Sequence, residues 1–242
     1  MGAERVLTVA DCSFYAFGTH AVSCMAGGDA VFQHDGVRDV YYDYCERGGL
    51  RPESEAPKLL RAVLGRDDRH RPADVLCVPA LFLARRLPDG SRSVRTERVC
   101  LDFAVINALG QGHRADTVVA AGSTAEAYAA AKCQRNDVAA ACERAGLLFC
   151  PVVHEAQGGV SREAARVAWA IASAVAAREG RRPEMVYGEM LGRIAIVLAR
   201  STALAIRKRG RAAPAVPPAW LTAVRRAHAD CVGADADAMA TP

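Results

Sequence analysis

Aromatic side chains are scarce in this chain: 6% of 242 residues, with two Trp. Ala, Arg and Val fill the gap, a composition bias that inflates apparent helix propensity, so helices are assigned here from caps and stops as well as from residue preference. Charge of one sign is also lacking. Thirty-one Lys and Arg stand against 27 Asp and Glu, a net of +4, which permits a nucleic-acid partner without arguing for one. No apolar run is long enough for a confident membrane span, which needs about 20 mostly uncharged residues. The most apolar late stretch, MVYGEMLGRIAIVLARSTALAI, is broken by Glu189, Arg193 and Arg200 and reads as a buried helix of a soluble protein. Its Gly188 and Gly192, four apart, suggest close approach of another helix. The N-terminus MGAERVLTVA lacks the apolar stretch of a signal peptide. There is no internal repeat, no Walker-type phosphate loop, no GxSxG elbow and no dinucleotide fingerprint.

Cysteine, by contrast, is plentiful: nine residues. Cys77, Cys100 and Cys150 lie in the apolar runs VLCVP, RVCLDF and LLFCPVV, where a free thiol behaves as a small hydrophobe. An odd count without a leader fits buried thiols in a reducing, intracellular setting, with room for a metal site.

Residues 35–48 read as a helix stopped by Gly48-Gly49, and 53–64 have no single pattern. The tract RDDRHRP is a polar loop. ADVLCVPALFLA and SVRTERVCLDFAVIN are strands joined by the turn Pro88-Asp89-Gly90-Ser91, and 108–123 is loop. The pattern predicts a long helix over 124–146 with Thr124 as cap and Gly146 as stop. It then predicts a buried strand over 147–156, a helix over 161–180 capped by Ser161, and a helix over 184–208. The Pro- and Ala-rich tail after Arg211 holds one short helical stretch. The expected fold is α/β: a mixed sheet with helices on both faces.

Asp102 is the residue that breaks its surroundings, a carboxylate in the apolar strand VCLDFAVI. Such a group is costly unless paired or bound to a metal. Asp74 opens the preceding strand, and the two residues are about equally far from the turn, so their carboxylates meet at one end of the sheet. Paired carboxylates on adjacent strands suit Mg²⁺, which keeps several waters and phosphate oxygens. The plain alternative is that Asp74 caps a turn and Asp102 satisfies a buried Arg. Glu155 ends the next strand after a further apolar run. Lys132 lies on the intervening helix, where a cation near a metal would stabilise charge developing on phosphate; the plain reading is a solvated surface Lys. His154 points to the opposite face from Glu155 and reads as structural.

These residues carry a resemblance. The segments PADV, CLDFAV, AAAKCQRND and FCPVVHEAQGG resemble the restriction-like endonuclease domain of non-LTR retrotransposons, within the PD-(D/E)XK nuclease superfamily. The resemblance covers roughly residues 12–160 and implies a restriction-endonuclease-like core over 35–160, preceded by a Cys/His segment (1–34); the residue pattern adds C-terminal helices packing on the core (161–210) and a mostly flexible tail (211–242). It implies Asp74 and Asp102 as Mg²⁺ or Mn²⁺ ligands, Lys132 as a lysine migrated into the helix, and Glu155 with Gln157 reaching the site. Ala104 stands where the superfamily most often has lysine. The stretch GTHAVSCMAGGDAVFQHDGVRD resembles the His–Cys knuckle before such domains, implying a structural zinc held by Cys12, His20, Cys24 and His34. It departs from that pattern in lacking a close Cys pair, in having Gln33 for Arg, and in having His34-Asp35 for His-Asn. Arg38 and Asp39 match an Arg-Asp on the first helix. Arg38, with Arg69 and Arg71 of the basic loop containing Arg66 and His70, would contact DNA phosphates, the plain reading of the loop being an ordinary solvated one. The run Arg207-Lys208-Arg209-Arg211 either binds a nucleic-acid backbone or complements the dipole at a helix end.

The functional expectation is a metal-dependent DNA endonuclease, nuclear in a eukaryotic host. The alternatives are a catalytically inactive descendant that binds nucleic acid or protein, and an unrelated small α/β protein whose buried Asp is merely paired. Neither a membrane nor a nucleotide cofactor is expected.

Overall fold

The computed structural model describes residues 28–64, 72–86, 92–108 and 120–212, with side chains at 79–86, 92–97 and 209–212 left aside. The chain divides into two compact units, Cys12–Ala205 and Met1–Asp11 with Ile206–Pro242. The sheet and its helices lie in the first; of the second, the described part is the end of the last helix.

The first helix, α1 (Asp29–Arg47), starts six residues earlier than the sequence pattern indicates and takes His34 into its body. Its stop is as expected. Gly49 sits at φ 73, and the Leu50 N–H reaches back to the Cys45 carbonyl at 2.9 Å, closing the helix end as a left-handed Gly commonly does. Two short elements follow, β1 (Pro52–Ser54) and α2 (Arg61–Leu64).

The expected hairpin is present as β2 (Val75–Arg86) and β3 (Arg92–Ile106); its turn residues lie outside the described ones. Near the turn Arg86 faces Arg92, but at the far end Val75 faces Leu101, because the register shifts between Cys77 and Leu81. Pro79 lies in that irregularity, where a residue without an N–H is tolerated.

The long helix expected over 124–146 is in fact two. α3 (Ser123–Gln134) passes through a single 3₁₀ turn, Arg135–Asp137, into α4 (Val138–Arg144). Asn136 and Asp137 adopt φ 53 and 50, the left-handed region that these two residue types tolerate better than most. Thr124 is not the cap; Gly122 holds that position without a side-chain bond. Gly146 does end the second piece, at φ 68. The parallel strand β4 (Leu147–Glu155) follows, then α5 (Arg162–Glu179), where the Ser161 hydroxyl accepts from the Ala164 N–H at 3.3 Å. Last comes α6 (Pro183–Ala212).

The sheet order is β1-β2-β3-β4, with the first two pairings antiparallel and the last parallel. Helices cover both faces. Val37, Tyr41 and Tyr44 of α1, Val167, Ile171 and Val175 of α5, and Val186, Met190 and Ile194 of α6 share one apolar cluster with Val75, Leu101, Phe103 and Val152. Each such side chain, fully buried, contributes roughly 1.5–3 kcal/mol. Smaller clusters join α3 and α4 to the opposite face. Cys77, Cys100 and Cys150 are buried as expected. A Cβ at Gly188 or Gly192 would meet nothing within 4 Å, so no described helix approaches closely there; among the described residues a close approach is at Gly36 of α1, against Val197 of α6. No described helix is long and apolar enough to cross a membrane.

Candidate functional site

The strand VCLDFAVI conceals an alternation. Leu101, Phe103 and Val105 are buried toward α1 and α5, while Asp102, Ala104 and Ile106 are half-buried toward α3. That alternation lets a carboxylate sit in an apolar strand. Val75 faces Leu101, so Asp74 comes alongside Asp102. The Asp74 N–H donates to the Leu101 carbonyl at 2.9 Å, and its carboxylate Oδ2 accepts from the Phe103 N–H at 2.7 Å. Asp74 thus brackets Asp102 along the backbone.

Lys132, near the end of α3, is not a solvated surface residue. Its Nζ lies 2.8 Å from Asp102 Oδ2 and donates to the Phe103 carbonyl at 2.9 Å. On the other side, His34 Nε2 lies 3.1 Å from Asp74 Oδ2 and Nδ1 lies 3.1 Å from Asp35 Oδ1. Both ring nitrogens face carboxylate oxygens, so the doubly protonated ring satisfies both. Asp35 also takes Arg38 Nη1 at 2.9 Å, and Arg38 pairs with Asp39. Arg38 is therefore committed to two carboxylates on its own helix.

The two acids are pushed apart electrostatically. Burial raises a carboxyl pKa; at Asp74 this is outweighed by the bonds from His34 and the Phe103 N–H, which hold it below the usual range. At Asp102 burial prevails over the Lys132 ammonium, and the Asp74 charge adds to the rise. The bond to Asp74, against burial and with help from Asp35, lifts His34 above the ordinary imidazole value.

Glu155 does not join this group. It pairs with Ile106, four residues beyond Asp102 on the neighbouring strand, roughly 13 Å along the sheet. There it is buried, accepts the Ala125 N–H at 3.1 Å and crowds Gly159, where a Cβ would meet its Oε2 at 1.9 Å. Gln157 is equally distant in role, tying Asn107 and Ala108 at the end of β3. Both residues secure loop ends. His154 is structural as expected, its Nε2 3.1 Å from the hydroxyl of buried Tyr41.

Cys12, His20 and Cys24 of the implied zinc set lie outside the described residues, as do Arg66, Arg69, His70 and Arg71. The fourth zinc residue, His34, is engaged with Asp35 and Asp74. Its nearness to Asp74 is the site feature the sequence reading missed, since forty residues separate the two. Among the described residues no three His, Cys, Asp or Glu side chains gather as a metal-holding group. Asp74 and Asp102, side by side on adjacent strands, are the residues that would hold a cation such as Mg²⁺, which takes one or two protein carboxylates and completes its shell with water and phosphate. The bonds above engage Oδ2 of each Asp.

No family model, no curated protein and no solved structure matches this chain.

Proposed function

We propose that the chain is a metal-dependent endonuclease that hydrolyses DNA phosphodiester bonds, built on a restriction-endonuclease-like core. The observation that carries this reading is Lys132 Nζ at 2.8 Å from Asp102, with Asp74 alongside on the adjoining strand. The element order supports it: a helix, three antiparallel strands with the short α2 between the first two, then α3 and α4 and a parallel fourth strand. Asp74 and Asp102 would hold Mg²⁺ or Mn²⁺. When bound, the ion would neutralise phosphate charge and acidify a water. Asp74, held below the usual carboxylate range, is ionised at neutral pH. Lys132 holds Asp102 in place and sets a positive charge where negative charge grows during phosphodiester cleavage. In a eukaryotic host the enzyme would act in the nucleus.

A second reading, an inactive descendant that binds nucleic acid or protein, is favoured by the pairing of each carboxylate with a cationic side chain, His34 or Lys132. Nicking of supercoiled plasmid separates the two. With Mg²⁺ or Mn²⁺ the wild type should nick, Asp102→Ala should not, and Lys132→Ala should be slower by about 100- to 1000-fold. Duplex binding without cleavage by any of the three supports the second reading in its nucleic-acid-binding form. Absence of both binding and cleavage removes the nuclease and that form, and leaves a descendant that binds protein.

A further inference from the structure

We infer that His34 is a positioning residue of this site: its imidazole fixes the Asp74 carboxylate, and Asp35 and Arg38 fix the imidazole. The functional part of this inference rests on the nuclease reading; the contact itself does not.

Asp74 stands just before β2, outside the regular ladder. Its backbone is pinned by the Leu101 carbonyl and by the Glu55 N–H, each at 2.9 Å, which leaves its side-chain torsions to be set by partners. Oδ2 receives two donors from different elements, the Phe103 N–H of β3 at 2.7 Å and His34 Nε2 of α1 at 3.1 Å. Two donors converging on one oxygen fix the carboxylate plane and leave Oδ1 as the oxygen for a further partner. The imidazole is itself held. Nδ1 meets Asp35 Oδ1, the same oxygen that takes Arg38 Nη1. The ring also stands edge-on to Phe103, centroids 6.5 Å apart. The chain Arg38–Asp35–His34–Asp74 is a supporting arrangement of the kind that orients a ligating carboxylate and tunes its affinity.

The test compares wild type, His34→Ala and His34→Gln, whose amide N–H can still reach Asp74. Mn²⁺ affinity is measured by calorimetry without DNA, and cleavage by kcat and KM. His34→Ala should bind Mn²⁺ about 10- to 100-fold more weakly, with kcat reduced and KM for duplex little changed; His34→Gln should recover most of both. Wild-type Mn²⁺ affinity and kcat in His34→Ala, or no recovery in His34→Gln, overturns the inference. So does loss of bound zinc from His34→Gln, which would return His34 to Cys12, His20 and Cys24. If wild type neither binds Mn²⁺ nor cuts, the nuclease reading alone fails. His34's hold on Asp74 is then read in metal-free protein by chemical unfolding of His34→Ala, Asp74→Asn and the double variant. A double loss clearly below the sum of the singles upholds it, and additivity overturns it.

Discussion

His154 is the clearest acid liability of the fold. It is buried between β4 and Tyr41 of α1, and burial pushes its pKa down to about 4 from 6.5. The folded state therefore resists protonation that the unfolded chain accepts. The stability concerned is fully present above pH 6.5 and is lost as pH falls toward 4, roughly 2–3 kcal/mol between pH 7 and 4.5. Urea unfolding at those two pH values should show that loss in wild type and much less of it in His154→Gln. His34 works with the opposite sign, since its raised pKa favours the folded state at low pH and that contribution fades as pH rises; the His154→Gln comparison isolates the buried ring. At this scale the sequence was legible where a residue broke a local pattern. Asp102 interrupts an apolar strand and Asp74 opens one. His34 has Cys and His neighbours in sequence, which drew it toward a zinc set, and its contact with Asp74 is made by packing that no local pattern records.

Among the elements, α5 is the most strongly specified. Its buried stripe of Ala164, Val167, Ala168, Ile171, Ala172 and Val175 follows the helical repeat, and both ends carry recognisable stops. Ile171, fully buried against the sheet, should lose about 2–5 kcal/mol as Ala, and Ser161→Ala about 1 kcal/mol through the lost cap. Both are measurable by denaturant titration, and an effect within 0.5 kcal/mol at Ile171 would contradict this packing. The α3–α4 break was not legible, because Arg-Asn-Asp contains neither Gly nor Pro. The hairpin was legible in outline but its irregularity was not. A regular pairing continued from Arg86–Arg92 would set Asp74 opposite Ala104; the two-residue shift near Pro79 sets it beside Asp102 instead. The symmetry about the turn that pointed to this pair thus depends on a bulge.

For the molecule as a whole, the sheet separates two kinds of polar work. At the Asp74 end, α1 brings an imidazole from one face and α3 brings an ammonium from the other, and the two carboxylates lie between them. At the Glu155 end, buried Glu155 holds the first turn of α3 and exposed Gln157 holds the end of β3. Sequence order suggested that both ends of the apolar strands reach one site. The parallel register of β3 and β4, with Asp102 opposite Pro151, separates them, and a register between strands joined through two helices cannot be read from either strand alone. The account therefore stands on two carboxylates. Its most direct test is the anomalous scattering of Mn²⁺ in crystals grown near neutral pH and soaked in millimolar Mn²⁺. One strong peak bonded to both Asp74 and Asp102 is the predicted result. Absence of a peak there, with Lys132 still on Asp102 and His34 still on Asp74, would contradict it.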